Sequence, residues 1–274
     1  MSDLKTGGLS KPAVPILTIR NLDKTFLSDK GNVTALQGVD LTVTKGEFVC
    51  LLGASGCGKS TLLRIIGGFE DPSSGQADIY GSAIKGPGPD RGMVFQDYAL
   101  FPWLTVEENI AFGPKHQGRT RAETAEVTDK FMEMVGLTGF RNTYPNALSG
   151  GMKQRVAIAR VLANDADILL MDEPFAALDA LTRAKLQEEL LEIWERTRLT
   201  IIFVTHSVEE AVILSDRIVV MGAGPGHIET DISVDLARPR DPASIPFNDV
   251  RRDVSNQLRS HIAPALRNSQ MADA

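Results

Sequence analysis

The residues best suited to chemistry are Gly53, Ala54, Ser55, Gly56, Cys57, Gly58, Lys59, Ser60 and Thr61 (GASGCGKST), directly after the run EFVCLL. They fit the pattern GxxxxGK[ST] through Gly53, Gly58, Lys59 and Ser60. Leu62, Leu63, Ile65 and Ile66 follow at helical spacing, so the segment reads strand, loop, helix. The glycines let consecutive backbone N–H groups turn inward around a polyphosphate, and the positive end of the following helix points at the same anion. In that setting Lys59 would reach the terminal phosphates, and Ser60 would place its hydroxyl on a magnesium ion bridging two of them.

Further candidates stand where short apolar runs end. The run ILLM at 168–171 has the continuous apolar character of a strand buried on both faces of a parallel sheet, and Asp172 and Glu173 follow it. One carboxylate there suits a magnesium ion held through water, and its neighbour suits a general base acting on water. Solvated loop acids are the alternative; the phosphate loop elsewhere in the chain favours the functional reading. His206 ends a buried strand over 200–205 at the edge where an open parallel sheet binds ligand, and a Ser207/Glu210 capping box follows. A structural histidine fits that position equally. Gln96 ends the apolar run 93–95, where it could position a water or a metal or simply begin a loop. Ser149, Gly150 and Gly151 precede a helix and expose backbone donors, which reads either as a second anion site or as an ordinary serine cap. Phe26, after the first strand, could stack on a nucleotide base or pack at the rim.

The elements that must position these residues follow from periodicity. Residues 17–21 and 35–43 alternate as antiparallel strands do. Thr105 with Glu108 and Thr120 with Glu123 form capping boxes that start two helices, the second carrying the stripe Val127, Phe131, Met134, Val135 until Gly136 ends it. Leu186, Leu190, Ile193 and Trp194 give a later helix its inward face. Residues 217–221 read as another strand and 228–234 as an edge strand. The segment RPRDPASIP then breaks structure, and Val250, Val254, Leu258 and Ile262 mark a short amphipathic tail helix. Residues 1–15, rich in Gly, Pro and Ser, read as a mobile arm. The single phosphate loop in 274 residues favours one domain, and a net charge of -6 with mixed signs speaks against a nucleic-acid partner. Two cysteines are too few for a disulfide framework, which fits a reducing cytoplasm. No run of about 20 apolar residues predicts a membrane span, and the opening lacks the apolar core of a secretion signal. Cys57, at a helix start that favours thiolate, could block nucleotide binding when alkylated, but the reading preferred is a small residue whose backbone alone matters.

Taken together, GASGCGKST, Gln96, LSGGMKQR at 148–155, ILLMDEP at 168–174, ALD at 177–179 and His206 resemble the ATP-binding cassette (ABC) ATPases over roughly residues 17–236. The resemblance implies an α/β fold: a RecA-like P-loop NTPase core with an N-terminal antiparallel β subdomain and an inserted helical signature subdomain near 97–163. The expected organisation is an arm at 1–15, a nucleotide-binding domain at 16–238 and a tail at 239–274. By the same resemblance Phe26 would stack on adenine, Ser60 and Asp172 would hold Mg2+, and Gln96 would sense it. Glu173 would activate water, His206 would brace the γ-phosphate of ATP, and Asp179 would link two sites across a homodimer. Ser149 and Gly151 of one copy would meet the γ-phosphate held by Lys59 of the other. Met152, where many family members carry Gln, leaves Ser149 and the glycines unchanged.

The stretches GPGPDRGMVFQDYALFPWLTVEENIAFG and AGPGHIETDISVDLARPRDP look like the importer subfamily serving nitrate, sulfonates and taurine. Bicarbonate, cyanate or a thiamine precursor is the alternative cargo, and a soluble non-transport ATPase the more distant one. The implied partners are two integral-membrane permease subunits and, indirectly, a solute-binding protein. The implied place is the cytoplasmic face of the inner membrane. Phe101, Pro102 and Trp103 would lie near the groove that receives a helix from the permease, or in the core of the helical subdomain.

Overall fold

The structure, a computed structural model, describes residues 15–28, 31–95, 97–176 and 178–272, with side chains described as far as residue 259. The chain begins with two long strands, β1 (Pro15–Phe26) and β2 (Val33–Thr44), followed by β3 (Phe48–Gly53), α1 (Lys59–Gly67), β4 (Ser74–Ile79), β5 (Ser82–Ala83) and β6 (Arg91–Val94). A helical stretch comes next: α2 (Val106–His116), α3 (Arg121–Met134) and α4 (Gly150–Leu162). The chain then alternates through β7 (Ile168–Asp172), α5 (Ala180–Thr197), β8 (Thr200–Thr205), α6 (Val208–Leu214), β9 (Arg217–Gly222), β10 (His227–Ser233) and α7 (Ile245–Ala272). The arm expected over 1–15 lies outside the described residues except for Pro15, which opens β1.

Two sheets form. One has the order β2-β1-β4-β5 and is antiparallel throughout; the other has the order β10-β9-β3-β8-β7-β6 and is parallel except for the antiparallel edge strand β10. Strands β3 and β8 are buried along their whole length, the mark of a sheet covered on both faces. Their side chains divide by parity. Phe48, Cys50 and Leu52 join the core on the side of α4, α5 and α6, whereas Val49 and Leu51 join the core that α1 and the antiparallel sheet build. Strands β1 and β2 run longer than their alternation predicts because register shifts, one between Ile19 and Leu22, interrupt the period of two without ending the pairing.

Both capping boxes of the middle stretch form: Thr105 caps α2 and Thr120 caps α3, each bonded reciprocally to the glutamate three residues on. The tail helix is longer than its apolar pattern suggested, 28 residues instead of a short element. Phe247 and Val254 anchor it, each 1% exposed, and Arg240 ties the segment before it to α6 by donating to the carbonyls of Val212 and Ser215 at 2.6 and 2.7 Å.

Candidate functional site

Parallel register brings the ends of β3, β8 and β7 to one edge of the sheet: Leu52 pairs with Thr205, and Val204 with Asp172. The residues that follow each strand therefore converge. After β3 the chain wraps through the glycine loop into α1. Gly58 sits at φ 94°, and a Cβ there would stand 2.6 Å from Leu36 Cδ2 and 2.9 Å from the Ala35 carbonyl, so the loop closes this tightly only with glycine. The Lys59 ammonium, 4% exposed, donates to the carbonyls of Gly53 and Ala54 at 2.8 Å each, which satisfies a buried cation within its own loop. A cavity of about 230 Å3 opens over the loop, lined by Ser55, Gly56, Gly58, Lys59, Ser60 and Thr61 together with Ala35 and Glu173.

Ser60 donates its hydroxyl to Asp172 Oδ1 at 2.8 Å. Burial holds the Asp172 carboxyl above its usual range, with the Ser60 hydrogen bond pulling the other way and the neighbouring Glu173 charge adding to the rise. A bound cation would relieve that burial cost. Among the described residues no group of three His, Cys, Asp or Glu could cage a metal by itself. One hydroxyl and one carboxylate, both hard oxygen donors, instead fit magnesium, which keeps waters and phosphate oxygens as its remaining ligands.

Glu173 has φ 45°, a left-handed conformation that a β-branchless but bulky side chain adopts at a cost, and its N–H is held by the Val204 carbonyl at 3.1 Å. That twist turns the chain at the strand end so that Glu173 Oε2 lies 3.0 Å from His206 Nδ1. Ammonium, hydroxyl and the Glu173 carboxylate thus meet around one cavity, with the His206 imidazole bonded to that carboxylate from the side, an arrangement able to bind a polyphosphate, orient a water and accept its proton.

Ser149 and Asp179 lie elsewhere. Ser149 caps α4, accepting the Met152 N–H at 3.3 Å, and Asp179 caps α5, accepting from Leu181 and Thr182 at 3.1 and 3.0 Å. Both are exposed, and neither they nor Gly150 and Gly151 line the cavity over Lys59. Gly151 is buried, with Leu186 Cδ1 3.2 Å from where its Cβ would be, so a glycine there lets α4 lie close on α5. Phe26 ends β1, 40% exposed, with Lys24 Nζ 4.9 Å above its ring, and it is not among the residues lining that cavity. Gln96 lies outside the described residues, as does Ala177. Cys57 is fully buried, so a bulky alkylating reagent has no path to it in the folded loop, and a block by alkylation loses its basis.

Sequence reasoning passed over Ala35 and Arg183 as site residues and gave Glu210 only a capping role. Ala35 gives backbone and bulk to the loop cavity from β2. Arg183 and Glu210 lie behind Glu173 and His206. The Ser207/Glu210 box forms only by half: Ser207 Oγ accepts the Glu210 N–H, but the Glu210 carboxylate takes the Thr205 hydroxyl instead of reaching back to Ser207. Nothing in the letters separates buried Glu210 from exposed Glu209 beside it.

Comparison with known proteins bears on the family and the fold. A family model described as ABC transporter matches residues 36–176. A nitrate import ATP-binding protein of Synechocystis sp. is 48% identical over 80% of this chain and 83% of its own. A bicarbonate transport ATP-binding protein of Synechocystis sp. is 49% identical over 82% and 81%, and a taurine import ATP-binding protein of Jannaschia sp. 48% over 81% and 83%. Among solved structures, a dimeric ATP-binding cassette in a post-hydrolysis state with ADP and Pi superimposes with a TM-score of 0.70 at 33% identity, covering 81% of this chain and all of that one. The fold is thereby that of a RecA-like P-loop cassette.

Proposed function

The chain belongs to the ABC transporter ATPase family, and on that footing we propose that it is the motor subunit of an importer for a small anion such as nitrate, an aliphatic sulfonate or taurine. It is an ATPase that uses ATP with Mg2+. The observation that carries the residue assignments is the convergence of Lys59, Ser60, Asp172, Glu173 and His206 on one sheet edge.

In this reading the loop amides and Lys59 hold the β- and γ-phosphates, and Phe26 stacks on adenine. Ser60, Asp172 and Gln96 hold Mg2+, which when bound neutralises phosphate charge. Glu173 orients the attacking water and takes its proton, while His206 fixes that carboxylate and braces the γ-phosphate. Phosphoryl transfer then rests on positioning and charge neutralisation more than on covalent chemistry.

Ser149, Gly150, Gly151 and Asp179 act in trans. Two copies close head to tail, so that the α4 start of one chain faces the phosphates held by the other. The dimeric cassette among the solved structures supports that arrangement. The aromatic patch of Phe101, Phe112 and Trp103, the last 69% exposed, offers a membrane-embedded permease pair its contact. Among the described residues no helix is long and apolar enough to cross a membrane. By analogy with the importer relatives the chain sits peripherally on the cytoplasmic face, and a solute-binding protein delivers cargo to the permease.

Nitrate, bicarbonate and taurine relatives stand at 48%, 49% and 48% identity, so identity does not choose among cargoes. Uptake of labelled nitrate, taurine, alkanesulfonate and bicarbonate by source cells lacking this chain does. The expected result is loss of one uptake, restored by wild type and not by Lys59→Ala. Persistence of all four overturns the nitrate, sulfonate and taurine assignment and leaves another small anion or metabolite or a non-transport role, and loss of bicarbonate uptake alone moves it to the alternative cargo.

A further inference from the structure

Behind the Glu173–His206 contact lies a charged pair that the reaction above does not use. Thr205, the last residue of β8, donates its hydroxyl to Glu210 Oε2 at 2.5 Å and accepts the Ser207 N–H at 3.0 Å. The Ser207 hydroxyl in turn accepts the Glu210 N–H at 3.3 Å. These bonds close a ring around the backbone of His206, so the imidazole that meets Glu173 rides on a turn whose shape Glu210 sets. The other carboxylate oxygen, Oε1, stands 3.7 Å from Arg183 Nε on α5. Arg183 also donates Nη2 to the Leu178 carbonyl at 2.9 Å, one residue before Asp179. A cavity of about 40 Å3, room for a single water, lies between this pair and the Glu173–His206 contact.

Stability is a poor reason for such a pair. Glu210 is 7% exposed, and Arg183 Nε is buried without a hydrogen-bond partner. Burying the Glu210 carboxylate for a 3.7 Å contact with an arginine whose side chain stays 37% exposed gains little over a well-packed apolar side chain. What an apolar pair could not do is span two loops. The guanidinium fork reaches the carboxylate behind His206 and the carbonyl before Asp179 at once.

We propose that Arg183 and Glu210 are positioning residues that couple the turn bearing His206 to the loop bearing Asp179, so that nucleotide braced at one catalytic edge changes the face offered to the second copy. This rests on the reading that two copies share their sites. The pair is the link by which one site reports its occupancy to the other.

The test is ATP hydrolysis by the purified full chain across ATP concentrations, for wild type, Glu210→Gln, Arg183→Met, the double variant and Arg183→Lys, with thermal melts to establish folding. Glu210→Gln keeps an acceptor for Thr205 and removes the charge that Arg183 faces. The expected result is a Hill coefficient falling from about 2 to about 1 in Glu210→Gln and in Arg183→Met, since two sites set the upper limit. The double variant should resemble either single one, as residues of one unit do, and Arg183→Lys should recover part of the cooperativity. Cooperativity retained in both single variants overturns the proposal, and so do losses that multiply in the double variant or a hyperbolic wild type. A wild type without turnover overturns the functional reading instead. In that event amide exchange at Leu181 and Thr182, the N–H groups held by Asp179, decides the coupling: several-fold faster exchange in Glu210→Gln supports it, and unchanged exchange sinks it.

Discussion

The carboxyl edge of the parallel sheet and the starts of α4 and α5 solve the problem of polar groups in opposite ways. At the edge each group meets a partner from a distant part of the chain: Ser60 meets Asp172 across 112 residues and Glu173 meets His206 across 33. At the helix starts, Ser149 and Asp179 bond amides within their own first turns and face outward. On the proposed reading, the edge thus holds the groups for binding and base catalysis together inside one chain. At the helix starts Ser149 and Asp179 stand exposed, and neither lines the cavity over Lys59. A composite site divided between two copies accounts for that asymmetry.

Removing the base tests the self-contained half most severely. Glu173→Gln keeps the size and the hydrogen bond to His206 while removing the proton acceptor, so turnover should fall on the order of 10³-fold with ATP still bound. Phosphate-release assays and size exclusion with ATP check this; normal turnover would move the base to another residue. The divided half calls for mixing. Lys59→Ala and Ser149→Arg should each lose at least about 10²-fold alone. Mixed in equal amounts they should regain roughly a quarter of wild-type activity, because about half the dimers are mixed and each has one intact site. A mixture as inactive as its parts would place both groups in one chain's site and end the comparison.

The joint between the two regions is Gly92 on β6. A Cβ there would fall 2.3 Å from Val161 Cγ1 on α4, in a packed interface with no flexible tip to yield. Gly92→Ala should destabilise by about 1–3 kcal/mol through overpacking, lowering the melting temperature by roughly 2–4 °C per kcal/mol in a chain of this size. Because α4 carries Ser149, its shift should weaken hydrolysis more than nucleotide binding. An unchanged melt would mean that α4 is free to move relative to the sheet.

How much of this was legible in the letters depended on sequence distance. The phosphate loop, the acids after β7 and the caps at Thr105 and Thr120 each lie within a few residues of what they serve, so local spacing reveals them. The meeting of Glu173 with His206 needed the strand order β3-β8-β7, which follows from family resemblance and not from periodicity. Glu210 was misread for a physical reason. A serine three residues before a glutamate suggests a reciprocal box, but Thr205 at the buried strand end donates its hydroxyl to the carboxylate and itself accepts the Ser207 N–H. Arg183, 27 residues away and one of several charges on α5, gives no local sign that it reaches Glu210.

The smallest expected effect distinguishes the two regions by sign. Burial holds the Glu210 carboxyl above its usual 4.5, against the Thr205 hydrogen bond and the Arg183 charge, whereas the Thr182 amide holds Asp179 below its usual 3.8. A carboxyl raised in the folded chain keeps its proton where the unfolded chain has lost it, so stability falls as pH climbs from 4.5 through the raised value. A lowered carboxyl does the reverse: its contribution is whole above 3.8 and disappears as pH drops through the lowered value. Denaturant midpoints against pH for wild type, Glu210→Gln and Asp179→Asn separate them. As pH rises, Glu210→Gln should gain on wild type above 4.5, while Asp179→Asn should fall behind it up to about 4 and then run parallel. Gaps that move in the same direction would mean that the buried edge and the exposed helix start share one electrostatic environment, and the division between them would not hold.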